Sequence, residues 1–536
     1  MFIRKKLNRG GSYSVVLATG ERVPGKKHPV SRIIKNFGSS TDKNRIDEMV
    51  KEAEAYKAQL MRVSPKAKTL KIVSSDDIQS CHSFTVGFLD VYGREYDKVF
   101  KDLSLTPAYT KHLRELAMMR IARPDSKRGT ALDSSLYGAS LQIDSIYKLM
   151  DRMNDSVIDQ IKSTIYHHTS SQLALYNEPL DVLFYDLTTL SFETGTQDEY
   201  RDFGFSKDGK HHHVQIVLAV IVTKDGLPVD YTMFPGNCYE GHTLIPVLKK
   251  LKETYAIQRV VLVADAALMN KVNLSELESH AIDYVIAARI KNTTKTLQKE
   301  ILDYESYQPI STTQTNDGID IIASKTIPHP EGGTMVAYYS SKRARKDNFD
   351  REKNIQKVEK NLYTNPKKSL SAKFKKPYIS VSSDIKIVID EDKINQDQLF
   401  DGFFAFQTNM KTVNPQELLS MYRGLWQVEQ TFRIAKSSLE IRPVFHFTTK
   451  RIKAHIALCY MSLALVRFIE FTLKKNTLHT PFDQLHDLLS RIRIARIKDS
   501  QGNTFDLLEN APTLAPKIYN ILNIPWYKKF AHIPEL

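Results

Sequence analysis

Apolar and polar residues alternate along the first forty residues of the chain, as in FIRKKLNRGGSYSVVLA. A period of two is typical of strands, and the breaks at Gly10-Gly11 and Gly25 supply turns, so this stretch predicts a small β-meander. The segment IDEMVKEAEAYKAQLM that follows has the spacing of an amphipathic helix. The chain is therefore predicted to open with a small α+β unit.

Helical spacing returns between about Leu105 and His168, with a break at Arg123-Pro124. Within it, SLQIDSIYKLMDRM and SVIDQIKSTIYHH are short helices of the kind that form helix-turn-helix motifs. A helical bundle that makes no DNA contact explains the same pattern. We expect residues 1–175 to form an amino-terminal DNA-binding region, and leave open which helical arrangement it adopts.

From about Leu180 the pattern changes to strands, in DVLFYDLTTLSFE, HHVQIVLAVIV and LPVDYTMFPG. A helix in HTLIPVLKKLKETYA then leads into the strand patterns RVVLVADAAL and DYVIAARI. Strands joined by short turns, followed by a crossover helix, predict a mixed α/β sheet with flanking helices. We assign this core to residues 176–295 and 411–475.

The rhythm breaks between about Lys291 and Asn409, where SKRARKDNFDREKNIQKVEK and NPKKSLSAKFKKPY are strongly charged. We interpret residues 296–410 as a β-containing insertion that interrupts the core. Residues 476–536 contain DQLHDLLSRIRIARI, and we expect them to form a helical carboxy-terminal region.

Length and charge narrow the class of protein. The chain has 536 residues, more than one hydrophobic core usually organises, so several domains or one core with large insertions are expected. Hydrophobic residues make up 42% and charged residues 26%, which favours a globular protein. The formal net charge of +15 favours a polyanionic partner, nucleic acid before an anionic membrane.

Other classes are disfavoured by what the sequence contains. The three cysteines have no spacing that suggests a zinc site or a disulfide framework. The start, MFIRKKLNRGG, is not followed by the apolar stretch of a secretory signal. The most apolar segment, IALCYMSLALVRFIEF, contains Arg467 and Glu470 and is interpreted as a core helix. We therefore expect a cytoplasmic protein with no membrane partner.

Two aspartates follow apolar strand patterns at matching places. Asp186 lies in LDVLFYDLTTL and Asp265 lies in VVLVADAAL. Open α/β sheets bind ligands at strand ends, so the two carboxylates are expected to converge on one cation. Either aspartate alone would more often be a turn former or a helix cap.

A third carboxylate lies in MYRGLWQVEQTFRIAKSSLE, a helix by periodicity. Seven residues advance a helix by about two turns, so Tyr422, Glu429 and Lys436 are predicted to share one stripe, with Trp426 and Arg433 beside it. A glutamate among these aromatic residues would be partly buried and would need a metal or a cation. The alternative is a core helix whose glutamate pairs with one of its own basic residues.

The order Asp, Asp, Glu in these settings resembles the DDE transposases of bacterial insertion sequences, in the group with a Tyr-Arg-Glu-Lys motif around the last Glu. The similarity runs from about Asp181 to Leu473, in FYDLTTLSFE, MFPGN, VVLVADAAL and YRGLWQVEQTFRIAKS. The segment MMRIARPDSKR also resembles the amino-terminal region of the family. The family motif has Arg four residues before the Glu, where this chain has Leu425; Arg423 either replaces that phosphate contact or leaves it lost.

The resemblance implies an RNase H-like core and a transposase that cleaves insertion-sequence ends and joins them to target DNA. It implies a homodimer on double-stranded DNA in the bacterial nucleoid, and two Mg²⁺ ions per site, with Mn²⁺ as a substitute. The implied metal ligands are Asp186, Asp265 and Glu429, and the implied DNA contacts are Tyr422, Arg423, Arg433 and Lys436. A non-catalytic DNA-binding derivative and a metal-dependent nuclease without strand transfer are the alternatives.

Histidines offer a competing metal site that the pattern disfavours. His211, His212 and His213 are consecutive, so on a strand they alternate faces and do not converge on one ion. His242 and His455 are expected to be cap or core residues.

Overall fold

A computed structural model describes residues 2–8, 10–21, 30–63, 78–205, 212–255, 261–264, 271–315, 318–329, 332–364, 378–381 and 387–527. The chain divides into two compact units. The first contains Met1–Cys81 and Ile497–Thr504, and the second contains His82–Arg496 and Phe505–Leu536.

The first unit begins with three strands and a helix: β1 (Phe2–Leu7), β2 (Tyr13–Glu21), β3 (Val30–Ser40) and α1 (Lys43–Val63). The strands form an antiparallel sheet in the order β1-β2-β3. Val15 of β2 packs with Ile46, Met49 and Ala53 of α1 in a small apolar core. The alternating pattern thus forms a meander covered by the helix that follows it.

A helical layer precedes the large sheet. It follows the strand β4 (Ile78–Thr85) and contains α2 (Arg94–Val99), α3 (Pro107–Ala122), α4 (Lys127–Asp133), α5 (Ile143–Arg152) and α6 (Asp155–Leu175). Two of these helices are the ones that the sequence offered as a helix-turn-helix.

The remaining strands up to residue 408 are β5 (Val182–Ser191), β6 (Gln215–Thr223), β7 (Pro228–Pro235), β8 (Val261–Ala264), β9 (Asp283–Ala288), β10 (Gln308–Thr315), β11 (Gly318–Pro328), β12 (Thr334–Ser340), β13 (Ile379–Val381), β14 (Ile387–Ile389) and β15 (Phe403–Thr408). Nine of them form one mixed sheet in the order β10-β11-β12-β15-β9-β8-β5-β6-β7. β5 pairs antiparallel with β6 and parallel with β8, and β8 pairs parallel with β9. The fold is therefore mixed α/β around a large mixed sheet.

Helices alternate with these strands and complete the chain. They are α7 (Leu244–Tyr255), α8 (Lys271–Ser279), α9 (Lys295–Leu302), α10 (Ser341–Thr364), α11 (Glu391–Gln398), α12 (Pro415–Arg423), α13 (Trp426–Arg433), α14 (Thr449–Lys475), α15 (Phe482–Ser490) and α16 (Ala515–Ile521). Two further strands, β16 (Arg493–Asp499) and β17 (Thr504–Asn510), lie in a sheet of order β17-β16-β4.

The segment interpreted as an insertion is continuous with the large sheet. Its strand β15 pairs antiparallel with β9 through the register Ala405↔Ala288, and β12, β11 and β10 follow outward. Without β15, this side of β9 would present unpaired backbone groups. Pairing to β15 satisfies them, so the segment extends the sheet rather than standing apart from it.

The apolar segment that resembled a membrane span is the core helix α14. It is the one helix in the described part of the chain that is long and apolar enough to cross a membrane. However, 89% of its apolar window is buried inside the protein. Its Arg467 pairs with Glu470 at 2.6 Å, so both charges are compensated within the helix.

The helices α5 and α6 pack against α14, and α6 also packs against β7. The Thr169 hydroxyl of α6 donates to the carbonyl of Pro228 at 2.7 Å. These contacts hold α5 and α6 against the core of the second unit.

The prediction of a helical carboxy-terminal region is wrong in part. The helix α15 ends at Ser490, and RIARIKD forms strand β16. Ile492 and Ile494 are both fully buried while Arg493 is exposed, which is the period of two expected of a strand.

Candidate functional site

Asp186 lies in the middle of β5 and is half-buried, while the other nine residues of the strand are buried. Residues on the two faces of β5 belong to different apolar clusters: Phe184 and Leu190 to one, Tyr185 and Leu187 to the other. Because strand side chains alternate, Asp186 shares the face of Phe184. One of its carboxylate oxygens, Oδ1, accepts the Leu187 backbone N–H at 2.7 Å. Asp186 and Thr188 are thus the polar positions on a face of β5 that is otherwise apolar.

The parallel pairing of β5 with β8 relates the sequence position of Asp186 to that of Asp265. Phe184 pairs with Val263, the last pair of the described register. Asp186 stands two residues after Phe184, and Asp265 stands two residues after Val263. Asp265 itself lies outside the described residues.

The segment that carries Glu429 is not one continuous helix. It consists of α12, α13 and a π-helical turn over Ile434–Ser438. Between α12 and α13, the N–H groups of Leu425 and Gln427 donate to carbonyls three residues back, on Tyr422 and Gly424. The break before Glu429 and the π turn after it change the rotation per residue from that of a regular α-helix. The prediction that Tyr422, Glu429 and Lys436 lie along one line of a single helix is therefore wrong.

The prediction that Glu429 is partly buried is also wrong, because its side chain is exposed. The face of α13 that packs against β5 and β6 carries Val428, Thr431 and Phe432, all of them buried. A helical step of about 100° moves Glu429 to the side of that face. Among the described residues, no ion pair joins Glu429 to Arg433 or Lys436, so the alternative of an intrahelical salt bridge is not observed.

Two contacts fix how this segment runs along β5. A Cβ atom on Gly424 would overlap the ring of Phe184, so the backbone touches the strand there. Further along, Thr188 lines a small cavity together with Phe432 and Lys436. The Thr188 hydroxyl is buried and has no hydrogen-bond partner within the described residues.

These contacts bracket the two carboxylates that the structure describes. Four strand residues separate the first contact from the second, about 13 Å at about 3.3 Å per residue. Eight residues of the helical segment span about 12 Å at about 1.5 Å per residue. The lengths match, and Asp186 and Glu429 each fall near the middle of their stretch. The segment that carries Glu429 therefore packs along the face of β5 that carries Asp186.

A buried polar network anchors α13 at this position. The Gln427 side-chain carbonyl accepts from the Arg467 guanidinium at 2.9 Å, and Arg467 also donates to the carbonyl of Gly226 at 2.9 Å. Gly226 closes the turn between β6 and β7 with a φ of 77°. Sequence analysis missed this pair; the only signal was an arginine inside an apolar helix.

The expected DNA contacts differ in exposure. Arg423 and Arg433 are exposed, whereas Tyr422 and Lys436 are half-buried. Tyr422 stacks on Phe406 of β15, with ring centroids 4.2 Å apart, so one face of its ring is covered. Lys436 lies in the π turn.

Two residues of the histidine run, His212 and His213, lie in the described part of the chain. His212 is exposed, and the His213 ring nitrogen Nδ1 lies 3.0 Å from the carbonyl oxygen of Phe192. His211 lies outside the described residues. In the same part of the chain, no three His, Cys, Asp or Glu side chains come together as a metal site, and Asp265 is not included in that statement.

Comparison with protein families decides the identity. The profile of the family described as Transposase DDE domain matches residues 177–465, more than half of the chain. The chain belongs to this DDE transposase family. Membership makes it a DNA-processing enzyme of the transposase class. The matched transposase domain includes Asp186, Asp265 and Glu429, together with the strands of the large sheet.

Solved transposase structures are similar only at a distance. The cryo-EM structure of a piggyBac transposase synaptic complex with hairpin DNA shares 11% identity, with a TM-score of 0.35 over 76% of each chain. The Mos1 transposase paired-end complex with left transposon end shares 12% identity, with a TM-score of 0.15 over 34% of this DDE transposase and 59% of that chain. The Mos1 mariner paired end complex with Mn shares 11% identity, with a TM-score of 0.14 over 36% and 65%. No curated protein sequence matches the chain significantly. The assignment therefore rests on the family match.

Proposed function

We propose that this DDE transposase cleaves the ends of a bacterial insertion sequence and joins them to target DNA, acting as a homodimer on DNA in the nucleoid. It belongs, in this proposal, to the group with a Tyr-Arg-Glu-Lys motif around the catalytic glutamate. The observation that supports the proposal is the packing of the segment that carries Glu429 along the face of β5 that carries Asp186.

The β5–β8 register supports Asp265 as the third carboxylate. If the parallel pairing continues by two residues, Asp265 stands beside Asp186 with its side chain on the same face. Neighbouring strands are about 4.8 Å apart, a separation at which two carboxylates share a cation. Glu429 then closes the group from α13.

The donor set suits Mg²⁺, with Mn²⁺ as a substitute. Three carboxylates supply hard oxygen ligands only, and the half-buried Asp186 lies on an apolar sheet face that restricts water. Two bound divalent cations would activate the attacking oxygen and stabilise the leaving oxygen of the phosphodiester. Asp186, Asp265 and Glu429 would be the residues that hold these cations.

Basic residues around Glu429 would hold the DNA. Arg423 and Arg433 are exposed and free to reach phosphates on either side of the helix segment. Lys436 lies beside Thr188, two residues along the strand from Asp186, where it would hold a phosphate near the cut. Tyr422, whose ring stacks on Phe406, would contact a sugar of the same DNA.

The strand order supports an RNase H-like core. The strands β7, β6 and β5 run antiparallel, and β8 and β9 continue from β5 in parallel, so the five are contiguous in the large sheet. The segment from 296 to 410 would then be an insertion that extends this core along β9.

The test is to incubate the full chain and Mg²⁺ with duplex DNA from the flanks of its own reading frame, and to map new 3′ ends. Cleavage at the two element ends, followed by covalent joining to a plasmid target, is the expected result. Cleavage without joining would make the protein a nuclease. Binding without cleavage in Mg²⁺ or Mn²⁺ would make it a non-catalytic DNA-binding derivative.

A further inference from the structure

Buried cations in this protein fall into two groups. Six lysine and arginine side chains are buried in the described part of the chain: Arg120, Lys127, Lys162, Arg201, Arg351 and Arg467. Four of them form an ion pair with a carboxylate, in the pairs Lys162–Asp230, Arg201–Asp198, Arg351–Asp401 and Arg467–Glu470. Arg120 and Lys127 form none with any described residue, although each is only 5% exposed.

The two unpaired cations lie in one cluster with two histidines. The Lys127 ammonium donates to the ring nitrogen Nδ1 of His455 at 3.4 Å. The other ring nitrogen of His455, Nε2, donates to the carbonyl of Ile441 at 3.1 Å, so the ring is neutral with its proton on Nε2. The ring of His446 lies 5.3 Å from that of His455, centroid to centroid. We call Arg120, Lys127, His446 and His455 the cationic cluster.

Burial and neighbouring positive charge disfavour the charged forms of Lys127, His446 and His455. Burial, and then Arg120, lowers the pKa of Lys127 well below its ordinary value. Burial, then Lys127 and Arg120, lower the pKa of His446 to about 3. Burial, and then Lys127, also lowers the pKa of His455. An uncompensated buried charge is costly, so this arrangement is one that an anion would stabilise.

Part of the cluster is within reach of a ligand. The guanidinium nitrogens of Arg120 have no hydrogen-bond partner in the described part of the chain. They are not completely buried either. The remaining exposed surface of Arg120 therefore includes the nitrogens that would bind. A guanidinium fork matches the geometry of two oxygens of one phosphate.

The cluster also lies close to the proposed cleavage site. Burial raises the pKa of the Cys459 thiol, and the nearby Arg120 and Lys127 oppose that rise. Cys459 lines the small cavity that Thr188 and Lys436 share. The segment between Ile441 and His446 contains Val444, whose N–H donates to the carbonyl of Ser191 at the end of β5 at 3.3 Å. The cluster thus adjoins the strand that carries Asp186.

We propose that the cationic cluster binds one phosphate group of the DNA backbone beside the cleavage site, with Arg120 and Lys127 as the two donors. The inference rests on the proposed function for the source of that phosphate. Binding would compensate the buried charge and couple DNA docking to the packing of α3, α4 and α14, the helices that carry the cluster. Sequence analysis assigned neither residue a role, although both lie in MMRIARPDSKR.

The test compares Arg120→Met and Lys127→Met with Arg351→Met, a buried arginine that has a carboxylate partner. Thermal unfolding of each full-length protein is measured with and without inorganic phosphate. Affinity for a short random-sequence duplex is measured at several salt concentrations, without divalent cations so that no cleavage occurs.

Three results are expected together. Phosphate should raise the Tm of the wild type and of Arg351→Met but not of the two cluster variants. Without phosphate, the cluster variants should be at least as stable as the wild type, because an uncompensated charge has gone, whereas Arg351→Met should be less stable. The cluster variants should bind the duplex at least about tenfold more weakly, and their salt slope should fall by about one unit.

Two results would overturn the proposal. If both cluster variants bind the duplex as tightly as the wild type does, the cluster does not bind a DNA phosphate. If phosphate also no longer raises their Tm, the cluster binds a free anion instead. A lower Tm in the cluster variants without phosphate, with duplex affinity unchanged, would make the two cations structural. Neither result touches the carboxylates, so the proposed function would stand or fall by the cleavage assay alone.

Discussion

The ring of Phe184 fills the space that a side chain on Gly424 would need, which joins the strand of Asp186 to the segment of Glu429. Gly424 has a helical φ of −68°, so its backbone conformation does not itself require glycine. Its missing side chain is needed for the close approach to β5.

Gly424→Ala should therefore lower both stability and cleavage. Overlap with Phe184 costs about 1–3 kcal/mol, more than the gain of up to about 1 kcal/mol that alanine brings to a helix. Denaturant unfolding and a cleavage assay measure the two effects. Gly195→Ala, where a Cβ meets open space, is the control. If a second change, Phe184→Leu, fails to restore either property, the contact is not the cause.

Asp186→Asn should abolish Mg²⁺-dependent cleavage and leave DNA affinity nearly unchanged, because the substitution removes a metal ligand and no phosphate contact. Asp265→Asn and Glu429→Gln should behave in the same way. A gel shift beside a cleavage assay makes the measurement. Near wild-type cutting by any one of the three variants would remove that residue from the proposed site.

Arg433→Ala and Lys436→Ala should each lower the salt slope of DNA binding by about one unit, since each is assigned one phosphate. Loss of Lys436 should also slow cleavage, because it would position the phosphate that is cut. Lys299→Ala, an exposed lysine on α9, is the control. If the salt slopes of all three variants equal that of the wild type, Arg433 and Lys436 are surface charges that do not contact a DNA phosphate.

Stability should fall as the pH falls from about 6.5 towards 3, because of His446. The folded protein holds the pKa of this ring at about 3, against an ordinary value of 6.5. Between pH 3 and pH 6.5 the unfolded chain binds a proton at His446 that the folded chain does not bind. The free energy of unfolding therefore decreases as the pH decreases. The slope from one such group is at most about 1.4 kcal/mol per pH unit.

Denaturant unfolding across this pH range checks the prediction. His446→Asn should flatten the dependence, whereas His212→Asn, a change at an exposed ring, should not. An unaltered dependence in His446→Asn would show that other groups control acid sensitivity.

The sequence predicts the strand that carries Asp186 well because that part of the pattern is local. DVLFYDLTTLSFE is a run of strand-forming residues, and Val182–Ser191 forms β5. The mixed sheet also follows from the short turns and the crossover helix. The assignment of Asp265 stays a prediction, since it lies outside the described residues.

What the sequence does not predict depends on distant neighbours. Seven-residue spacing indicates one helix around Glu429, but the structure breaks it near Gly424, where the backbone packs against Phe184, more than two hundred residues earlier. The exposure of Glu429 depends on which neighbours face β5. Whether a buried lysine is paired, as Lys162 is, or unpaired, as Lys127 is, cannot be predicted from residue types along the chain.

The pairing of β15 with β9 has a consequence for how such an enzyme changes size over generations. A single deletion of residues 296 to 410, which would shorten the gene, would leave the protein with an unpaired strand. The remaining protein would present the bare edge of β9, and an open edge recruits other chains and aggregates. A shorter descendant would first need proline, a charge or a covering helix at that edge.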